Sequence, residues 1–161
     1  LIKDVDPQQN KCLSQYKEHV YRDMVEEHEL TLVEGLPEFL DYLKENNIPM
    51  TIASESIKEN IDFFYDLFEL ERWLHREDIV YDDGTHQNKI TMFQKAADIL
   101  DTPIENCIVF EDSQSGIRFA KEAGVTAIVG VRNDKNNNDT IMTIQDFTNP
   151  DIYKLIHKGE Q

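Results

Sequence analysis

Apolar residues recur along this chain in two rhythms, and the alternation between them predicts its architecture. Between residues 12 and 29, Leu13, Tyr16, Val20, Met24 and Val25 fall three or four apart, the spacing of one helical face. Residues 30–34 read as a short extended link ending at Gly35. Pro37 then opens a helix carrying Leu36, Phe39, Leu40 and Leu43, closed by Asn46 and Asn47. Met50, Thr51, Ile52 and Ala53 form a compact apolar run, the mark of a buried strand, with Ser54-Glu55-Ser56 as its polar tip. A helix bearing Ile61, Phe64, Leu67 and Phe68 follows, and Asp78 to Tyr81 repeats the strand signal before the turn Asp82-Asp83-Gly84-Thr85.

The second half repeats this scheme more clearly. Residues 92–100 place Phe93, Ala96, Ala97 and Leu100 on one helical face, and Pro103 separates that helix from the β-branched run Cys107 to Phe110. This run ends abruptly in two adjacent carboxylates, Glu111 and Asp112, followed by Ser113 and an amphipathic helix that stops at Gly124. Residues 126–131 are a further buried strand, residues 132–140 a polar loop, residues 141–144 a last strand and residues 150–157 a closing helix. Every strand is followed by a helix or a crossover, which predicts an α/β fold with a parallel sheet covered on both faces.

Composition narrows the function. With 161 residues and 40% hydrophobic content the chain can build one real core, as a single domain with an appendage. Thirty-two acidic against sixteen basic residues give a formal charge of −16, which repels nucleic acid and anionic membrane surfaces, so neither is an expected partner. No apolar run approaches the roughly 20 residues that span a bilayer. The two cysteines, Cys12 and Cys107, support neither a disulfide framework nor a thiolate metal site, and a reducing, cytoplasmic setting is the expectation.

The candidate chemistry lies at strand ends, because the carboxyl edge of an open parallel sheet forms its ligand crevice. Glu111 and Asp112 can bend toward one hard cation, which oxygen ligands suit. Ser54, with neighbouring N–H groups in the tip Ser54-Glu55-Ser56, can hold phosphoryl oxygens, and Lys89 can neutralise their charge. Plainer readings compete for each: Ser113 and Asp112 as caps of the following helix, Ser54 as a cap of its own, Lys89 as a solvated residue at a helix start. The order hydroxyl, lysine, acidic pair is more telling than any member of it.

In that order the sequence resembles the haloacid dehalogenase superfamily, and within it the phosphatases similar to β-phosphoglucomutase. Residues 50–56 look like the family's second motif, and Ile108 to Ser113 with Gly116 like its fourth; Val33 to Leu40 resembles the re-entry from cap to core. The resemblance implies a three-layer Rossmann-like core with a parallel sheet over residues 31–161 and the remnant of a helical cap over residues 1–30. It also implies Mg²⁺ bound by Glu111 and Asp112, a small phosphorylated metabolite held by Ser54, Glu55, Ser56 and Lys89, and phosphatase or sugar-phosphate mutase activity in which Ser54 and Lys89 assist. The commoner spacing of the third motif falls on Gln87, but only a cation does its work, so Lys89 is preferred.

The family's first motif, an Asp-x-Asp pair that supplies the nucleophile and the acid–base group, has no convincing counterpart. Asp82-Asp83 stands in the wrong place in the order, and Asp4-Val5-Asp6 lacks a strand before it. The expectation is that this chain lacks the nucleophile segment and is inactive alone, and that either an upstream segment of the same protein completes the sheet between the strands ending at Ser54 and Asp112 or the fold closes up differently. A non-catalytic binding module derived from the same scaffold is the main alternative, and a receiver-like domain a weaker one.

Overall fold

The computed structural model of the chain describes residues 30–85, 88–133 and 138–156. The helix predicted over residues 12–29 and the cap assignment, Leu30 apart, lie outside them, as do Gln87 and Asp4-Val5-Asp6. Three strands, β1 (Ile108–Glu111), β2 (Ala127–Val131) and β3 (Met142–Ile144), form a parallel sheet in the order β1-β2-β3. Among the described residues they are accompanied by α1 (Leu36–Glu45), α2 (Lys58–Leu67), α3 (Lys89–Ile99), α4 (Gln114–Ala123) and α5 (Asp151–Ile156). None of these helices is long and apolar enough to cross a membrane.

The period-two alternation of β2 sorts its side chains between two helical layers. Val129 and Val131 pack with Phe39 and Leu43 of α1 and Ile152 of α5. Ile128 points the other way, into a cluster with Phe93 of α3 and Ile117, Ala120 and Ala123 of α4. The result is the α/β three-layer arrangement expected from the sequence. Ile117, Ile128 and Ile152 are almost wholly buried, and each such side chain is worth about 1.5–3 kcal/mol relative to exposure. A third cluster of Tyr65, Leu70, Trp73, Leu74 and Ile79 anchors the stretch after α2, where the Tyr65 hydroxyl donates to the Leu74 carbonyl at 2.7 Å.

The start of α1 is fixed by a close backbone approach. Gly35 has a left-handed φ of 76°, and a Cβ there would stand 2.5 Å from the Phe147 carbonyl carbon. Phe147 donates its N–H to the Glu34 carbonyl at 2.8 Å, so this glycine lets the chain after β3 lie directly against the entry to α1.

Several elements differ from the sequence reading. Helix α3 begins at Lys89 rather than Met92, because the Asn88 side chain accepts from the N–H groups of Ile90 and Thr91 at 3.0 and 3.3 Å. Strand β1 begins at Ile108, leaving Cys107 half-buried just outside it. Residues 50–53 and 78–81, both predicted strands, meet only through one parallel bridge between Ala53 and Val80. Val80 donates to the Ile52 carbonyl at 2.8 Å and Ser54 to the Val80 carbonyl at 2.9 Å. The opposite backbone edge, at Thr51 and Ala53, has no backbone partner among the described residues, and β1 pairs there with β2 alone.

Candidate active site

The gap between residues 50–53 and β1 opens into a cleft of about 360 Å³. Ile52, Ala53, Phe110, Val131 and Phe147 form its apolar wall, and Ser54, Glu55, Lys89, Glu111 and Asp112 its polar one. These polar residues come from three separated stretches of sequence, and the fold brings all five together. Ser56 lies just outside the lining.

Each is positioned by its own local structure. The Ser54 hydroxyl accepts from the N–H of Ser56 at 3.2 Å, closing a tight turn at the strand end. It does not cap α2, whose N-cap is Ile57, so the plain helix-cap reading of Ser54 fails. Lys89 occupies the first position of α3, where the Asn88 cap fixes the helix start. It is no solvated lysine: its side chain is only 10% exposed, and its ammonium donates to Oε2 of Glu111 at 2.7 Å.

Glu111 is the most heavily held group in the cleft. Its Oε1 accepts from the Ser113 N–H at 3.1 Å and the Ser113 hydroxyl at 2.8 Å, while the Ser113 oxygen caps α4 by accepting from the Gly116 N–H at 2.9 Å. Burial pushes the Glu111 carboxyl upward, but the Lys89 hydrogen bond and charge together with the two Ser113 bonds outweigh it and hold the group below the usual carboxylate range. It is therefore ionised at neutral pH.

Asp112 is held differently. Its side chain is exposed, while its backbone carbonyl accepts from Nδ2 of Asn133 at 3.2 Å. Asn133 is itself buried, and its Oδ1 accepts from Nε2 of Gln114 at 2.6 Å, tying the loop after β2 to the start of α4. Sequence reasoning missed Asn133, which sits in a polar loop without any motif to mark it. Ser113 was weighed only as a cap, yet it is both cap and carboxylate anchor.

Among the described residues no group of three or more His, Cys, Asp or Glu side chains converges on one point. The cleft offers a donor set of two adjacent carboxylates, one open and one shared with Lys89. That suits Mg²⁺, which takes one or two carboxylates and completes its shell with water and substrate oxygens. The Asp82-Asp83 pair stands apart as an exposed turn, where Asp82 accepts from the Gly84 N–H at 3.0 Å and Asp83 from the Thr85 N–H at 2.9 Å.

A family model described as haloacid dehalogenase-like hydrolase matches residues 1–124. The structure of a HAD hydrolase of family IA, variant 3, from Entamoeba histolytica superposes with a TM-score of 0.88 and 30% identity, covering 96% of this chain and 72% of that one. A β-phosphoglucomutase from Clostridium difficile shares the fold with a TM-score of 0.74 and 22% identity, covering 92% of this chain and 67% of that one. Among curated proteins, a phosphorylated carbohydrates phosphatase from Thermotoga maritima is 24% identical over 143 residues, 88% of this chain and 63% of that protein. The chain spans between 47% and 63% of the length of the curated relatives it matches.

Proposed function

Because this chain belongs to the haloacid dehalogenase-like hydrolase family, we propose that it carries the phosphate- and metal-binding part of a Mg²⁺-dependent phosphoryl-transfer site for a small phosphorylated metabolite. The reaction is that of a phosphatase or a sugar-phosphate mutase, and the phosphorylated carbohydrates named for the Thermotoga maritima relative support a sugar phosphate as substrate. One observation carries the reading: a hydroxyl, an ammonium and two carboxylates, distant in sequence, line one cleft at the end of a parallel sheet.

Charge decides the order of binding. Three carboxylates, Glu55, Glu111 and Asp112, face one ammonium, Lys89, leaving the polar wall at a formal −2. A phosphate dianion is repelled from such a wall until a divalent cation is seated. Asp112, with Glu111 beside it, would hold Mg²⁺, which when bound screens the repulsion between anions and steadies charge on the phosphoryl group.

The chain's own groups have assignable tasks. Lys89 spends one of its three N–H donors on Glu111 and keeps the rest for phosphoryl oxygens. The Ser54 oxygen accepts from Ser56, which leaves its O–H free to donate to the same group. Glu55 would serve through its backbone N–H, since a carboxylate there would repel the phosphate, and the Ser56 N–H would serve by orienting the Ser54 hydroxyl. Lys89 also requires Glu111: without that anion, a buried ammonium is costly and poorly aimed.

The attacking aspartate is proposed to arrive on an upstream strand of the same protein that pairs with both open edges, at residues 50–53 and at β1. Among the described residues, the backbone at Thr51 and Ala53 and the free edge of β1 find no backbone partner, which supports such a strand. The test is turnover of p-nitrophenyl phosphate with Mg²⁺, by the 161-residue chain and by the protein extended upstream. The expected result is no turnover by the chain, turnover by the extended protein, and its loss in Asp112→Asn. Turnover indifferent to that substitution overturns the metal assignment; an inert extended protein favours the binding module.

A further inference from the structure

Gly116 lies buried in the first turn of α4, where glycine weakens a helix relative to alanine. Its φ is not left-handed, so the backbone there does not require glycine. What requires it is a side chain. A Cβ built on Gly116 would stand 2.5 Å from Oε1 of Glu111 and closer still to Cδ and Oε2. A free glutamate would swing aside cheaply. This one is held on three sides, by Lys89 and by the N–H and hydroxyl of Ser113, and Ser113 in turn accepts from the Gly116 N–H.

We infer that Gly116 is a positioning residue: by leaving its Cβ site to the Glu111 carboxylate, it sets where the Lys89 ammonium stands at the wall of the cleft. Its importance for function rests on the phosphoryl-site reading above, since that reading gives Lys89 its task. Gly116 touches neither substrate nor metal in this account. It acts through a relay of contacts, Gly116 to Glu111 to Lys89, in which an added methyl displaces the carboxylate and the carboxylate releases the amine.

The test is competitive acetylation of lysines in the full 161-residue chain, read at Lys89 by mass spectrometry and normalised to Lys95, exposed on the same helix. In Gly116→Ala, Lys89 should label about tenfold faster than in the wild type, the effect of losing one charge-assisted bond, with Lys95 unchanged. Glu111→Asp alone withdraws the carboxylate from Lys89 by one methylene and should raise Lys89 labelling similarly, and adding Gly116→Ala to it should raise the rate no further. A merely structural role would raise both lysines together, and its effect would add to that of Glu111→Asp. Wild-type labelling of Lys89 in Gly116→Ala overturns the inference. If Gly116→Ala does not fold and Glu111→Asp does, the double variant decides: a folded double variant supports a clash with the carboxylate, and an unfolded one overturns it. Acetylation needs neither phosphate nor turnover, so it judges Gly116 independently of whether the cleft binds phosphate.

Discussion

Replacing Lys89 by methionine keeps most of the side chain's volume but removes the cation from a pair that is 10% and 9% exposed. Breaking a buried ion pair by deleting one partner costs about 3–5 kcal/mol, because the remaining charge is left uncompensated. Here the two Ser113 hydrogen bonds to Oε1 still support Glu111, which places the expectation at the lower end, about 3 kcal/mol. For a domain of this size that corresponds to a fall in Tm of roughly 6–12 °C. The sign of the pH dependence follows from the depressed Glu111 carboxyl. A group whose folded pKa lies below its unfolded value stabilises the fold above the unfolded value, and that stability drains away as pH falls through the folded one. In Lys89→Met the main depressing causes are gone and burial remains, so the penalty should be full at pH 7 and shrink as Glu111 protonates in acid. Urea unfolding of both proteins across this range is the assay, with Lys89→Met/Glu111→Gln expected to recover part of the loss at pH 7. A cost below about 1 kcal/mol at pH 7, the level of an exposed pair, or a cost unchanged between neutral and acid pH, would refute the reasoning.

Further outcomes follow from the same contacts. Asn133→Ala removes the bonds to the Asp112 carbonyl and to Gln114; it should lower stability by about 1–3 kcal/mol and weaken Mg²⁺ binding, read by urea unfolding and calorimetry. Gly35→Ala meets both a left-handed φ and the Phe147 backbone, so its destabilisation should exceed the roughly 1 kcal/mol of an ordinary glycine replacement. Ser54→Ala leaves the bridge to Val80 intact, because that bridge uses backbone atoms alone. It should weaken inorganic phosphate binding in the presence of Mg²⁺ while leaving the urea midpoint nearly unchanged.

Strand β1, its acidic tip and α4 were legible because the signals there are local: a β-branched run, two carboxylates, a capping serine and a glycine stop lie within eighteen residues. The α-helices among the described residues were legible from apolar spacing, but the start of α3 was misplaced, since Asn88 caps it without altering the hydrophobic rhythm. Residues 50–53 read as a strand from composition, but a ladder needs neighbours, and one bridge to Val80 is what the described residues provide. At the site, sequence reasoning named groups that the fold brings to one cleft, without seeing their pairings. Lys89 and Glu111 stand 22 residues apart, and nothing in either stretch announces a 2.7 Å bond. Both acids were assigned to the metal together. The folded chain separates them by environment, Glu111 buried against Lys89 and Ser113, Asp112 open to the cleft. Asn133 was invisible for the same reason: its two partners lie 19 and 21 residues away.

The central claim is that Ser54, Lys89 and the Glu111-Asp112 pair form a cleft that accepts phosphate only once a divalent cation neutralises its wall. Calorimetric titration of inorganic phosphate into the 161-residue chain, with and without Mg²⁺, tests this without relying on turnover. The expected result is binding that requires Mg²⁺ in the wild type and is lost in Asp112→Asn. Phosphate binding of equal strength without Mg²⁺, or binding untouched by Asp112→Asn, would contradict it.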